Sequence, residues 1–332
     1  MTAEITRRHL LGAGAAAAGL ILTTGRAFAS GTYDLPSVTL VVPFDTGGSA
    51  DRMARVTAPF IAEELGVPVN VINRPGGGGI AGHTWFLTRP ADGSTYLVTA
   101  PTPHLANQVL TGRGSFAWED YAFLNAQWRD YYMLSVNAEQ PYKSFDDLVA
   151  ALGRSGEVSA GILRGDGGHL SILLMMDALG LPIENIRLVS FDGGGAARTA
   201  LAGNQVSMSI ISAQGTEPIR DAIRPLAVFT AQPLPGWNAP TITEALAVHN
   251  TEMKVLDADV RTVMCHSSLP EAHPERLSLF MAAYERALSR EDCKAALTDV
   301  SIGGEWHGLA ATTEIVNRNY EILASVADRL QE

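Results

Sequence analysis

Residues 38 to 44 read VTLVVPF, a short β-branched apolar run of the kind carried by a strand buried on both faces, and the run ends in the turn DTGGSAD. From Asp51 onward the apolar residues Met53, Val56, Phe60, Ile61 and Leu65 recur at helical spacing. The pattern predicts a strand, a glycine turn and a helix, and it repeats along the chain. VNVINRP leads into GGGGIAGHTWFLT, STYLVTAP into TPHLANQVL, YYMLSVNAE into SFDDLVAALG, VSAGILRGDGG into HLSILLMMDALG, and IRLVSFDGGG into AARTALAGN. Strands that alternate with helices across short loops imply an α/β fold with a mainly parallel sheet in each unit and helices on both faces.

At 332 residues the chain exceeds what one core usually supports, so two lobes are expected. No fixed-length repeat and no low-complexity linker separates them, which favours lobes that share the chain through a two-strand hinge. One crossing is expected at Tyr132 to Asn137, where an apolar run meets the Pro141 turn and a helix start at Ser144; the other is expected at Leu226 to Thr230. Lobe 1 then takes residues 30–135 and 230–332, and lobe 2 takes residues 136–229.

Residues 1–29 follow a different pattern. Arg7 and Arg8 precede an uncharged Ala/Leu/Gly run that closes on Ala27, Phe28 and Ala29, the three-part layout of a secretory signal, and the adjacent arginines in TRRHLLG make it a twin-arginine signal peptide. The uncharged stretch from Leu10 to Gly25 is shorter than the ~20 residues a spanning helix needs. Cleavage is expected after Ala29, releasing a soluble periplasmic protein.

Charge narrows the partners. The chain carries a formal −11 at pH 7, and losing Arg7, Arg8, Arg26 and Glu4 with the signal makes it more negative still. Such a surface repels nucleic acid and anionic lipid. Cys265 and Cys293 are the two cysteines; a disulfide between them and two buried thiols both remain open. Neither they nor His83, His249, His266, His273 and His307 show metal-ligand spacing, so no metal and no cofactor is expected.

In open α/β sheets ligands sit beyond the carboxyl ends of strands, where helix N-termini converge. Four loops at such positions are glycine-rich: Gly47 and Gly48, Gly76 to Gly79, Gly165 with Gly167 and Gly168, and Gly193 to Gly195. Glycine there lets backbone amides approach a bound oxygen. Two such loops fall in each expected lobe.

The stretch VVPFDTGGSADRMAR, residues 41 to 55, resembles the opening strand, loop and helix of the tripartite tricarboxylate transporter receptors, the Bug-type periplasmic solute-binding proteins. NRPGGGGIAG, PTPHLANQVL, GILRGDGGHLSILLM and LVSFDGGGAARTALAGNQVSMSI are similar to their later segments, in order, from about Val38 to the C-terminus. The resemblance implies a type II periplasmic-binding-protein fold, a Venus flytrap whose lobes clamp a small organic acid and pass it to a separate membrane carrier. It also implies a monomer with no catalytic residues. Carried onto this chain, the first-lobe contacts are Phe44, Thr46, Gly47, Gly48, Ser49, Asp51, Gly78, Gly79, Thr102 and His104; the second-lobe contacts are Arg164, Gly165, Gly168, His169, Asp192 and Gly193.

Helix N-termini and charge-assisted bonds suit a carboxylate, and Arg164, the arginine of these glycine loops, offers a guanidinium fork. Asp45, Asp192 and Ser207 depart from the family pattern. If Asp45, Asp51, Asp166 and Asp192 all approach the cleft, they disfavour a dianion and favour an amine, amide or monocarboxylate. Two other readings stay in view: a receptor reporting to a membrane sensor kinase, and an exported α/β enzyme. The second lacks a phosphate loop, a G-x-S-x-G elbow and an ordered G-x-G-x-x-G.

Overall fold

A computed structural model describes residues 31–163, 166–191, 194–256 and 258–325. The twin-arginine segment lies outside them. Among the described residues no helix is long and apolar enough to cross a membrane.

Among the described residues ten strands form two sheets of five. They are β1 (Val38–Val42), β2 (Val69–Asn73), β3 (Thr95–Thr99), β4 (Tyr121–Asp130), β5 (Tyr132–Asn137), β6 (Val158–Ile162), β7 (Ile186–Ser190), β8 (Met208–Ser212), β9 (Ile223–Val228) and β10 (Asp259–His266). The first sheet runs β2-β1-β3-β10-β4 and the second β7-β6-β8-β5-β9. The two orders are equivalent. In each, three strands pair in parallel, and the fourth place is taken by an antiparallel strand that enters just after the chain has changed sheets. Each sheet is therefore mixed but mainly parallel in strand direction: β10 and β5 pair antiparallel to both neighbours, and the other four strands of each sheet run one way.

Each parallel strand feeds a helix, as the hydrophobic spacing predicts. The helix Ser49–Leu65 buries Met53, Ala54, Ala58 and Ile61 against Val38, Leu40 and Val42, and it stops at Gly66, whose φ of 79° is the left-handed turn glycine allows. In the second lobe the helix Phe145–Leu152 is started by a capping box, Ser144 accepting from the Asp147 amide while Asp147 accepts from the Ser144 amide. The helix Gly167–Ala178 is buried on two sides. Ile172, Met175 and Met176 pack in the second-sheet core with Ile162 and Ile210, whereas Leu170 and Leu174 pack with Leu97, Leu256 and Val260 of the first lobe.

The crossings differ from expectation. Tyr132–Asn137 is a full strand of the second sheet, so the first crossing is the single residue Tyr131 between β4 and β5. Leu226–Thr230 is not a return: β9 extends to Val228 on the edge of the second sheet, Val228 bridges to Thr241, and Ile242, Ala245 and Leu246 of the helix Ile242–Ala247 stay in the second core. The chain leaves that core between Val255 and Leu256, and this passage is not a strand. An apolar run at an edge strand looks the same, locally, as one at a hinge.

Candidate ligand-binding site

A cavity of about 570 Å³ opens between the lobes, lined from the first by Ser49, Arg52, His104, Trp128, Asp130, Asp259 and Arg261 and from the second by Asp166, Arg198 and Gln214. Its floor is a patch of β4 and β10. Asp259 pairs across the ladder with Asp130, and Arg261 pairs with Trp128. Residues two apart on a strand share a face, so all four side chains stand on one side of the sheet.

Arg261 is buried and saturated on several sides. Its Nη1 donates to the Asp259 carbonyl at 2.9 Å and pairs with Asp259 Oδ2 at 2.8 Å, its Nε donates to Ser49 Oγ at 3.1 Å, and its guanidinium lies 4.9 Å from the Trp128 ring centroid. It thereby ties the first turn of the helix Ser49–Leu65 to the floor. Arg198, from the helix Gly194–Ala202, donates to Thr216 Oγ1 at 2.9 Å and to the carbonyls of Ser212 and Gln214 at 3.0 and 2.7 Å. Burial pulls its pKa down, against the opposing pull of Asp130 and Glu217. Arg52 donates to the Val300 carbonyl at 3.0 Å.

The acids are unusual. Burial lifts the Asp130 carboxyl to a pKa of about 6; Arg261 works against this, Asp259 adds to it, and an amide hydrogen bond from Gln214 at 3.2 Å opposes it. Burial lifts Asp166 to about 7, opposed by its bond from the His169 amide at 2.8 Å and reinforced by Asp259. Asp166 is the cap of the helix Gly167–Ala178. Gly168 must be glycine, since a Cβ there would lie 2.0 Å from the Ile210 carbonyl oxygen. His104 lines the cavity with an exposed edge while protein surrounds the rest of the ring; burial lowers its pKa, Asp259 raises it, and Arg261 lowers it further.

Of the residues expected at the site, Ser49 and His104 line the cavity. Phe44 meets the His104 ring edge-on, with centroids 5.7 Å apart. Asp51 serves the loop instead: its carboxylate, 2% exposed, accepts from the Gly47 amide, Arg55 Nε and Asn73 Nδ2, each at 2.8 to 2.9 Å. Burial would raise its pKa, but the bonds from Arg55, Gly47 and Asn73 prevail and hold it below the ordinary carboxylate range. Gly47 takes a φ of 85° inside this clamp, and Thr46, Gly47 and Gly48 are exposed beside it, outside the cavity lining.

Gly78 accepts through its carbonyl from Gln108, Gly79 packs near Phe44, and Thr102 is buried against Asn319; none of them lines the cavity. Gly168 and His169 start their helix without lining it. Arg164, Gly165, Asp192 and Gly193 lie outside the described residues. Ser207, one of the departures, bonds to Ser159 within the second sheet. Cys265 and Cys293 are free, buried thiols, raised by burial to about 12 and about 11.

The cavity also gathers Arg52, Trp128, Asp130, Arg198, Gln214, Asp259 and Arg261, none of which the glycine loops point to. The available signal is charge inside a strand: Asp130 ends the run YAFLNAQWRD, and Asp259 and Arg261 interrupt DVRTVMCH. Arg198 stands in the helix directly after a glycine loop.

A family model described as tripartite tricarboxylate transporter family receptor matches residues 53–256. The chain is 30% identical over 220 residues to Protein BugT of Bordetella pertussis, covering 64% of this chain and 67% of that one. Among solved structures, a TctC solute binding protein from Polaromonas, without ligand, matches with a TM-score of 0.75 at 21% identity over 90% of this chain and 100% of that one. An R. palustris protein solved with adipate matches with a TM-score of 0.64 at 28% identity over 89% of this chain and 95% of that one. With the family's sequence pattern spanning more than half its length and the same two-sheet architecture beneath it, this chain belongs to the tripartite tricarboxylate transporter receptor family.

Proposed function

We propose that this chain is an extracytoplasmic solute-binding receptor, exported to the periplasm by the twin-arginine segment 1–29, that holds a small carboxylate-bearing ligand between its lobes and delivers it to a membrane carrier. The observation that carries this reading is the inter-lobe cavity of about 570 Å³, a size suited to a small metabolite, lined from both lobes and holding Arg52, Arg198 and Arg261. The first-turn amides of the helix Ser49–Leu65 have no side-chain cap, and free amides at a helix start favour an anion. The adipate seen in the R. palustris relative supports a carboxylate. Capture and release, with no covalent step, is the activity assigned to the site.

Mature protein purified without added ligand, with the copurifying small molecules released for mass spectrometry, tests this directly. Thermal-shift titration with mono- and dicarboxylates, amino acids and amides should raise Tm by mass action, and the ligand should be recovered chemically unchanged. Silence from every carboxylate removes the carboxylate reading, and turnover of a bound ligand removes the receptor reading.

A further inference from the structure

Arg198 is a half-buried cation whose charge no described residue neutralises at contact distance. It stands on the helix Gly194–Ala202 and lines the inter-lobe cavity. Its acceptors, Thr216 Oγ1 and the carbonyls of Ser212 and Gln214, are all uncharged, and among the described residues it forms no ion pair. Asp130 and Glu217 act on it only at longer range. The other two arginines of the cavity are placed differently: Arg261 is paired with Asp259, and Arg52 is exposed, where water and salt screen its charge. A charge drawn out of water is costly until an opposite charge meets it, so Arg198 is a cation lacking its anion.

The geometry locates the place where that anion meets it. Nε and Nη2 make all three bonds to the protein and pin the guanidinium plane, whereas Nη1 makes none. Unlike the buried unbonded oxygens of Asp259 and Gln214, Nη1 still reaches solvent, and the space beside it is the cavity. Two glycines that also line the cavity flank this nitrogen: a Cβ on Gly194 would come within 2.9 Å of Nη1, and one on Gly215 within 3.7 Å. Neither carries a side chain to cover it. Nη1 thus holds its N–H groups in a fixed direction, and an incoming carboxylate oxygen gains charge-assisted bonds without freezing a rotamer.

We infer that Arg198 is the second-lobe residue that takes the ligand's carboxylate, through Nη1, and that it sets the site's preference for an acid over the neutral amide of the same shape. This rests on the receptor reading above and names a specificity-determining residue within it. Arg261 remains a strut between Asp259 and Ser49, and Gly194 and Gly215 are what leave Nη1 bare.

Calorimetric titration of the mature protein with acetate, butyrate, succinate and adipate, each beside its amide, measures the preference pair by pair. Wild type should favour at least one acid over its amide by about ten-fold or more, the scale of a charge-assisted bond. Arg198→Gln should weaken that acid by roughly ten- to a hundred-fold and leave the amide unchanged, so the preference collapses. Because Arg198 also braces Thr216 and two carbonyls, a second variant leaves the guanidinium present. Gly194→Ala sets a methyl against Nη1 at a position whose φ lies outside the left-handed region. Acid affinity should fall about ten-fold, while the Tm of ligand-free protein holds or rises because alanine suits a helix better than glycine. Gly195→Ala, the next residue, has open space around its Cβ and should bind as wild type does. A folded Arg198→Gln protein that keeps the wild-type preference overturns the assignment and leaves the receptor standing. So does a Gly194→Ala protein with wild-type affinity, and that variant alone decides if Arg198→Gln does not fold. Silence of wild type toward all four acids overturns the carboxylate reading and this assignment with it.

Discussion

Asp259, the first residue of β10, stands directly across the ladder from Asp130, the last residue of β4, on the cavity face of the sheet. Both residues are buried, at 6% and 7% exposed. Burial, with the Asp259 charge adding to it, lifts the Asp130 carboxyl to about 6, so it keeps a proton to a higher pH than an ordinary carboxyl.

A pH dependence follows. Asp130 and Asp166 hold protons in the folded state up to about 6 and about 7, against an ordinary 3.8, so between those values the folded protein binds more protons than the unfolded chain. Stability must then fall as pH rises through that window. The groups facing Asp130 are Arg261, Arg198, Asp259, Tyr132, Ser212 and the Gln214 amide; those facing Asp166 are Asp259, Tyr132 and the His169 and Gly168 amides. The expected outcome is a Tm of ligand-free protein that declines from about pH 5 to about pH 7.5, with a flatter profile in Asp130→Asn and Asp166→Asn. A profile in the two variants as steep as wild type would count against this assignment.

Asp51 contributes with the opposite sign. Its pKa is depressed in the folded state, so its stabilisation is present above the ordinary carboxylate value and is lost as pH falls through its folded one. Asp51→Asn keeps the shape but turns an amide donor toward Gly47, Arg55 or Asn73, all of which donate to the carboxylate. Chemical denaturation at neutral pH should register a loss of roughly 2–3 kcal/mol. A loss below about 0.5 kcal/mol, the usual range of a surface change, would remove Asp51 as the loop's clamp.

Gly168→Ala tests the close approach of helix and strand. The new methyl collides with the Ile210 carbonyl, so the helix Gly167–Ala178 must shift away from β8. Overpacking of this kind costs roughly 1–3 kcal/mol. Because Asp166 caps that helix beside the cavity, ligand affinity should fall along with Tm. A variant with unchanged Tm and affinity would show that the helix start tolerates displacement.

Export is separable from binding. Replacing Arg7 and Arg8 by Lys should retain the precursor in the cytoplasm of a host with a working twin-arginine pathway, while the purified mature chain binds as before. Periplasmic accumulation of the Lys–Lys variant would assign the segment to a different route.

Local sequence carried the architecture further than the site. VTLVVPF and the 3.6-residue spacing from Met53 to Leu65 identify β1 and its helix, because burial on both faces of a strand and on one face of a helix leaves a periodic trace. The cavity floor leaves none. Asp130 and Asp259 meet through a strand pairing that local pattern does not encode, and the same holds for Arg261 over Trp128. Glycine loops drew attention to Gly47 and Gly78, whose task is to let the loops turn, with φ of 85° and 69°. The Leu226–Thr230 run failed as a crossing because edge strand and hinge share the same apolar composition.

Tyr131 alone separates Asp130 from the first residue of β5, and Asp259 begins β10 soon after the chain has come back. Both acids thus stand beside the two places where the chain passes from one sheet to the other, so a rotation of one lobe against the other would carry them less far than Ser49 and Arg198, which sit on helices of opposite lobes.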